Sequence, residues 1–395
     1  MDEKKINLND VKLDSAYVSS INESRDFNNE IIKFYDRFRK ENSVLYSKDT
    51  LLNLRNSIEN CNKVWIIDYY KKLDVKKLHK IHLCKNKFCM NCKKVAQASR
   101  MAKYIPELEK HSSYLYHLIL TIPNCDGNNL RVTIKHMSNC FRTLIRYING
   151  TIKLKGYDFS NWGYLGAIRS LEVTFKNNSY HPHFHCCIAL KDLDFREENK
   201  TIINTYSYSN RNRVKELVRT FSSEEILIQK IWYLLINKIK VNAKNIEELD
   251  RGYSCVMNAF EETDYQELFK YLTKGTSENG TIMRYNNFVA INYGTYRLKQ
   301  IQGYGIFFNI TDEGDTESFV DKYNEYIEYL ESMDSPERIF EFVSQNDKNS
   351  IIKNMREKKF DKEQIEFFNN KFGVVNTDKS TYVSLKKFIQ YLKQL

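Results

Sequence analysis

The rhythm of apolar positions changes along the chain, and the change divides it. Up to about residue 100 the pattern reads as mostly helical, with apolar runs such as Ile31, Ile32, Phe34, Tyr35 and Phe38. A polar, cysteine-bearing stretch follows, then a helix expected from about Cys92 that Pro106 bends or ends. Beyond it, Tyr114–Pro123 is a short aromatic and aliphatic run suited to a buried strand. Ile134, Met137, Phe141 and Leu144 recur at spacings of three, four and three, which is one face of a helix. Tyr164–Phe175 and His183–Leu190 read as strands on either side of a polar break at Lys176–Ser179. Ser222 and Glu225 form a capping-box pattern that opens a helix through Trp232 and Tyr233. In the tail, Val320, Tyr323, Ile327 and Leu330 share a helical face, and Ser335-Pro336 reads as another helix start. The chain shows neither an internal repeat nor a low-complexity tract.

Composition narrows the class. At 395 residues and 42% apolar, the chain can bury a sizeable core, so wholesale disorder is excluded. With 13 Gly and 4 Pro it is neither collagen-like nor linker-dominated. The start, MDEKKINLND, is charged, so no signal peptide is expected there, and no apolar run approaches the ~20 residues of a membrane helix. A cytoplasmic protein is the expectation, and its nine cysteines then bind metal or stay reduced. The net charge of +11 points to an anionic partner, nucleic acid first. Placement says more than the total. Residues 311–350 hold 12 acidic against 3 basic side chains, and residues 351–395 hold 10 basic against 5 acidic. A basic body followed by an acidic segment marks a domain boundary near residue 310.

The sharpest chemical signal is Tyr180-His181-Pro182-His183-Phe184-His185. Alternate side chains of a strand share a face, so His183 and His185 emerge together while Phe184 enters the core. The preceding strand supplies a carboxylate by register. If Asn178-Ser179 is a two-residue turn, Glu172 lies opposite His185, and if Asn177-Asn178 is the turn, it lies opposite His183. Either register puts Glu172 on the histidine face. Two imidazoles, one carboxylate and open positions suit Mn²⁺ or Mg²⁺ with substrate oxygens completing the shell, and His181 is held in reserve. The alternative is a hydrogen-bonded histidine pair on an exposed sheet face. A second cluster, Cys84, Cys89 and Cys92, brings three thiolates within nine positions, the spacing of a zinc knuckle. Lys85, Lys87, Lys93, Lys94 and Arg100 surround it, a basic surface able to track a phosphate backbone.

The histidine strand resembles the histidine–hydrophobic–histidine (HUH) endonucleases, and more narrowly the rolling-circle replication initiators (Rep proteins) of Gram-positive plasmids. Three ordered motifs carry the resemblance, between about Cys61 and Phe308. The first is Leu120-Thr121-Ile122-Pro123-Asn124, the second Glu172-Val173-Thr174 with His181–His185, and the third Glu267-Leu268-Phe269-Lys270-Tyr271-Leu272-Thr273-Lys274. In the third, Glu267, Tyr271 and Lys274 share one helix face, and Lys270 adds a cation toward DNA. The resemblance implies that Tyr271 is the nucleophile that becomes linked to a 5′ phosphate and that Glu267 activates water at termination. Lys274 favours the phenolate. Tyr265 is the nearest rival among 27 tyrosines, without the flanking Glu and Lys. The resembling family also carries a cysteine at about the distance of Cys61, which makes Cys61 the expected fourth zinc ligand, with His82 the local alternative.

The implied fold is α+β: an HUH core, a central antiparallel sheet flanked by helices, spanning residues 111–310. A helical, zinc-bearing N-terminal region (1–110) precedes it and a small helical C-terminal domain (311–395) follows. The implied activity is metal-dependent nicking and rejoining of plasmid origin DNA, single-stranded or extruded as a hairpin, in a bacterial cytoplasm. The host replicative helicase and polymerase are the implied partners, and no membrane is involved. The rival readings are an HUH-type transposase, a zinc-dependent DNA-binding regulator without catalysis, and a metallohydrolase that uses water as its nucleophile.

Overall fold

The structure is a computed structural model that describes residues 12–13, 15–41, 45–176, 178–193, 197–210, 213–269, 283–308, 310 and 316–384. In chain order, helices α1 (Ser15–Lys40) and α2 (Lys48–Glu59) lead into strands β1 (Val64–Tyr70) and β2 (Val75–Ile81). Helix α3 (Met90–Glu109) follows and contains Pro106 without ending there. Next come β3 (Leu115–Leu120), β4 (Cys125–Asp126), α4 (Leu130–Ile148), β5 (Tyr164–Lys176) and β6 (Ser179–Leu190). The hairpin β7 (Ile202–Asn210) and β8 (Arg213–Phe221) precedes α5 (Ser223–Ile236), α6 (Ala243–Glu247), β9 (Cys255–Ala259), α7 (Glu262–Leu268), α8 (Tyr285–Gly294) and β10 (Ile301–Gly305). The chain closes with α9 (Thr316–Met333), β11 (Glu337–Phe342), α10 (Gln345–Glu357), α11 (Lys362–Lys371), β12 (Phe372–Val374) and β13 (Thr381–Val383). Among the described residues, no helix is long and apolar enough to cross a membrane.

Two compact units result: Ala96–Thr311, and Met1–Val95 together with Asp312–Leu395. In the first unit the antiparallel main path of the sheet runs β10-β5-β6-β3-β9, so the histidine strand β6 is central. Strand parity sorts its residues. Phe184 is fully buried and packs edge-on against Phe141 of α4, with ring centroids 5.7 Å apart. Ile134, Met137, Phe141 and Leu144, the predicted helix face, are all buried. The opposite sheet face, carrying Ile168 and Cys187, packs against Tyr265 and Leu268 of α7 and against Phe269. Helix α5 opens with the predicted box: Ser222 Oγ accepts from the Glu225 N–H at 3.2 Å, and Glu225 Oε2 accepts from the Ser222 N–H at 2.8 Å.

The second unit departs from the sequence reading. Its sheet, β12-β11-β1-β2-β13, joins strands from both ends of the chain, so residues 1–110 and 311–395 are not two separate helical domains. Strand β1 pairs antiparallel with β11, Val64 facing Phe342 and Asp68 facing Arg338. Ser335-Pro336 therefore precedes a strand and not the expected helix, because Glu337–Phe342 finds a long-range partner in β1. A buried polar cluster ties the strands: Lys76 Nζ lies 2.5 Å from Glu341 Oε1, and the Tyr382 hydroxyl donates to Glu341 Oε2 at 2.6 Å. With Trp65, Ile67 and Tyr382 fully buried, this sheet has a core of its own.

Candidate metal centres

The β5–β6 hairpin fixes the first centre. Lys176 pairs with Ser179, and Asn178 holds φ at 61°, a left-handed value that Asn tolerates. Asn177 lies outside the described residues. This register places Glu172 directly across from His183, the second of the two alternatives. Glu172 Oε2 lies 3.3 Å from His183 Nε2 and 3.2 Å from His185 Nε2, and all three residues are under 10% exposed. Burial would raise the Glu172 carboxyl, but the hydrogen bonds and charge of the two histidines hold it well below the usual carboxylate range.

The histidine nitrogens are sorted for coordination. His183 Nδ1 lies 3.2 Å from the His181 carbonyl, to which only an N–H can donate, and this leaves its Nε2 lone pair facing Glu172. His185 Nδ1 lies 3.2 Å from His117 Nε2, and His117 Nδ1 lies 2.7 Å from Asp264 Oδ1. Burial pushes His117 down in spite of Asp264 and Glu267, which act in the opposite direction. Two ligands at right angles on an ion with bonds of ~2.1 Å would stand about 3 Å apart, so the donor set fits a small hard divalent cation. His181 falls outside this set. Its Nδ1 lies 2.9 Å from Asn124 Oδ1, and its ring stacks on His183 at 5.2 Å between centroids. Asn124 also donates to Ser179 Oγ at 2.9 Å, so the end of the first motif clamps the mouth of the histidine hairpin.

The third motif is described only as far as Phe269. Glu267 sits on α7, which packs on the same sheet face as the metal ligands, while Lys270, Tyr271 and Lys274 lie outside the described residues. Tyr265 is 9% exposed among Leu268, Phe269 and Cys187, and burial pushes its phenol up to about 12. It is a packing residue.

The second centre is built from sulfur. Cys61, Cys84, Cys89 and Cys92 offer ligand atoms all within 4.8 Å of one another. Three pairs, Cys61–Cys92, Cys84–Cys92 and Cys61–Cys89, stand at 3.5 Å, near the roughly 3.8 Å edge of a tetrahedron with bonds of ~2.3 Å. Cys61 completes the set, so His82 is not needed. Contacts within the cluster split the four thiols, pushing Cys61 and Cys84 up and holding Cys89 and Cys92 down. Hydrogen bonds from Cys61, Cys84 and Cys89 lead the causes that hold Cys92 well below the usual thiol range, and the Lys85 N–H adds to them at 3.2 Å. Asn28 Nδ2 donates to Cys89 Sγ at 3.4 Å.

The basic residues around this cluster divide. Lys85 is exposed, and Lys94 is exposed with its ammonium donating to Ser20 Oγ at 2.7 Å. Lys87 is half-buried with its ammonium 5.3 Å above the Phe88 ring. Lys93 is not a surface residue: it is 6% exposed, its ammonium lies 5.6 Å over Phe27, and burial pushes it down to about 8. Arg100 is half-buried and donates to Gln300 Oε1 at 2.9 Å.

Residues 75–217 match the family model described as Replication protein. This chain is similar to replication proteins named Protein rep. It is 33% identical over 154 residues to a Protein rep of Staphylococcus aureus, covering 37% of this chain and 62% of that one. It is 26% identical over 172 residues to a Protein rep of Lentilactobacillus hilgardii, covering 41% of this chain and 51% of the relative. A Protein rep of Streptococcus pneumoniae is 29% identical over 127 residues, 30% of this chain and 36% of its own length. The chain thus spans less than two thirds of each of these relatives. The family match takes in the Thr121–Asn124 and Glu172–His185 motifs and three of the four cysteines, and it ends before Glu267. No solved structure matches.

Sequence reading missed His117 and Asp264. A histidine inside the otherwise apolar run Tyr114–Pro123 was the available signal, and its parity with His185 emerges only once β3 is paired with β6.

Proposed function

We propose that this chain initiates plasmid rolling-circle replication by nicking and rejoining one strand of origin DNA through a covalent 5′-phosphotyrosine at Tyr271. The observation that carries the reading is the convergence of His183 Nε2 and His185 Nε2 on one oxygen of Glu172, on the central strand of the sheet. Those three residues would hold a divalent cation, Mn²⁺ or Mg²⁺, which when bound polarises the scissile phosphate and offsets charge developing on it.

The chain's own residues do the rest. The Tyr271 oxygen attacks phosphorus, the bond from phosphorus to the 3′ oxygen breaks, and that oxygen takes up a proton to become the 3′ hydroxyl a polymerase extends. Lys274 favours the phenolate. The phosphotyrosine keeps a phosphodiester bond, so a later 3′ hydroxyl can attack it and restore the DNA strand and the phenol. Glu267, on α7 beside His117, removes a proton from water when a second cleavage is needed and Tyr271 is occupied. Cys61, Cys84, Cys89 and Cys92 would hold a structural Zn²⁺, and the exposed Lys85 and Lys94 contact the phosphate backbone. Site-specific chemistry of this kind requires an unpaired target, single-stranded or extruded, because a scissile phosphate must reach the ligands. The host replicative helicase and polymerase then act on the opened origin. Incubation with a single-stranded origin oligonucleotide and Mn²⁺ tests this: a protein–DNA species that survives denaturation supports it, and free cleaved ends alone contradict it.

A further inference from the structure

The hydrogen-bond chain behind His185 has an internal logic that none of the three motifs contains. Asp264 uses both carboxylate oxygens. Oδ2 accepts from the Glu261 N–H at 2.9 Å and caps α7, and Oδ1 faces His117 Nδ1 at 2.7 Å. His117 is 7% exposed on β3, and its Nε2 faces His185 Nδ1 at 3.2 Å. With an ionised Asp264, one proton arrangement satisfies every atom: His117 Nδ1–H donates to the carboxylate, and His185 Nδ1–H donates to His117 Nε2. The lone pair of His185 Nε2 is then left toward Glu172, as coordination requires.

We infer that His117 and Asp264 are positioning residues that set the tautomer and ring orientation of His185. Because Asp264 stands three positions before Glu267 on the same helix, they also dock the helix carrying Glu267 onto the metal strand. The inference rests on the proposed metal site. It differs from simple packing in what each substitution does to the protons. Asp264→Asn keeps size and can still cap Glu261 with its oxygen, but it then turns an amide N–H toward His117 Nδ1. That forces His117 to donate from Nε2 and His185 to carry its proton on the metal-facing nitrogen. His117→Leu fills the space and ends the chain. His117→Gln keeps it, since one amide can accept from His185 and donate to Asp264.

The test is Mn²⁺ affinity of the full, zinc-replete chain, read from the electron paramagnetic resonance signal of free Mn²⁺, with folding checked by circular dichroism. Asp264→Asn and His117→Leu should bind Mn²⁺ roughly 10–100-fold more weakly, and His117→Gln should stay near wild type. Wild-type affinity in Asp264→Asn and His117→Leu, with binding lost in His185→Ala, overturns the relay alone. Undiminished binding by His185→Ala overturns the metal site and the relay with it.

Discussion

Glu172 and His183 face one another directly across β5 and β6, with Oε2 and Nε2 3.3 Å apart. The pairing follows from a turn of two residues. A slip of the pairing by one residue, which would set Glu172 opposite Phe184, would send it to the far face of the sheet, among the apolar side chains that cover Phe184.

The turn should therefore be sensitive to backbone preference. Asn178 sits at φ 61°, where a β-branched residue is strained. Asn178→Val is expected to lower stability by about 1–2 kcal/mol. Asn178→Gly should change it little. Urea unfolding of the three proteins checks both, and equal midpoints for Asn178→Val and wild type would refute the account of the turn.

Adjacent residues on β6 should fail in opposite ways. Phe184 is fully buried against Phe141 and under the Arg169 guanidinium, 4.7 Å from its ring, so Phe184→Ala should cost about 3–5 kcal/mol of stability. His185→Ala should cost less stability in chelator, about 1–3 kcal/mol from the hydrogen bonds lost by Glu172 and His117, while Mn²⁺-dependent nicking falls by at least about 100-fold. Denaturation curves alongside a nicking assay separate the two effects.

The sulfur site makes a stoichiometric prediction. Protein purified without added metal should contain about one zinc per chain by elemental analysis. Replacing Cys89 by Ser should lower both the zinc content and the thermal midpoint. A stably folded preparation free of zinc would contradict the assignment.

How far the sequence could be read depended on the range of the contacts. The histidine face was legible because strand parity and hairpin register act over fewer than fifteen residues, from Glu172 to His185. The capping box at Ser222 and the apolar face of α4 are equally local. Strands β1 and β2 were read as helical although they form a local antiparallel hairpin, with Tyr70 facing Val75, and the run Val64–Tyr70 was itself a strand signal. The separate C-terminal domain failed because β11 pairs with β1 and β13 with β2, partners far along the chain. His117 and Asp264 stand 147 positions apart, and no spacing rule joins them.

Tyr271 and Glu267 should separate in time. Tyr271→Phe has no oxygen to attack phosphorus and should yield neither nick nor adduct. Glu267→Ala should still nick and form the adduct, yet release circular product poorly and accumulate plasmid molecules longer than one unit. A complete block of the first nick by Glu267→Ala would instead assign the glutamate to orienting the tyrosine or to holding metal.

The central claim is that a tyrosine, and not water, receives the DNA strand. Mass spectrometry of tryptic peptides tests it most directly, after reaction with a single-stranded origin oligonucleotide and Mn²⁺ and digestion of the attached DNA. The account predicts nucleotide mass on the tryptic peptide Tyr271–Lys274, which is absent when the reaction is run in chelator. Cleaved DNA with no modified peptide, or the added mass on the peptide containing Tyr265, would contradict it.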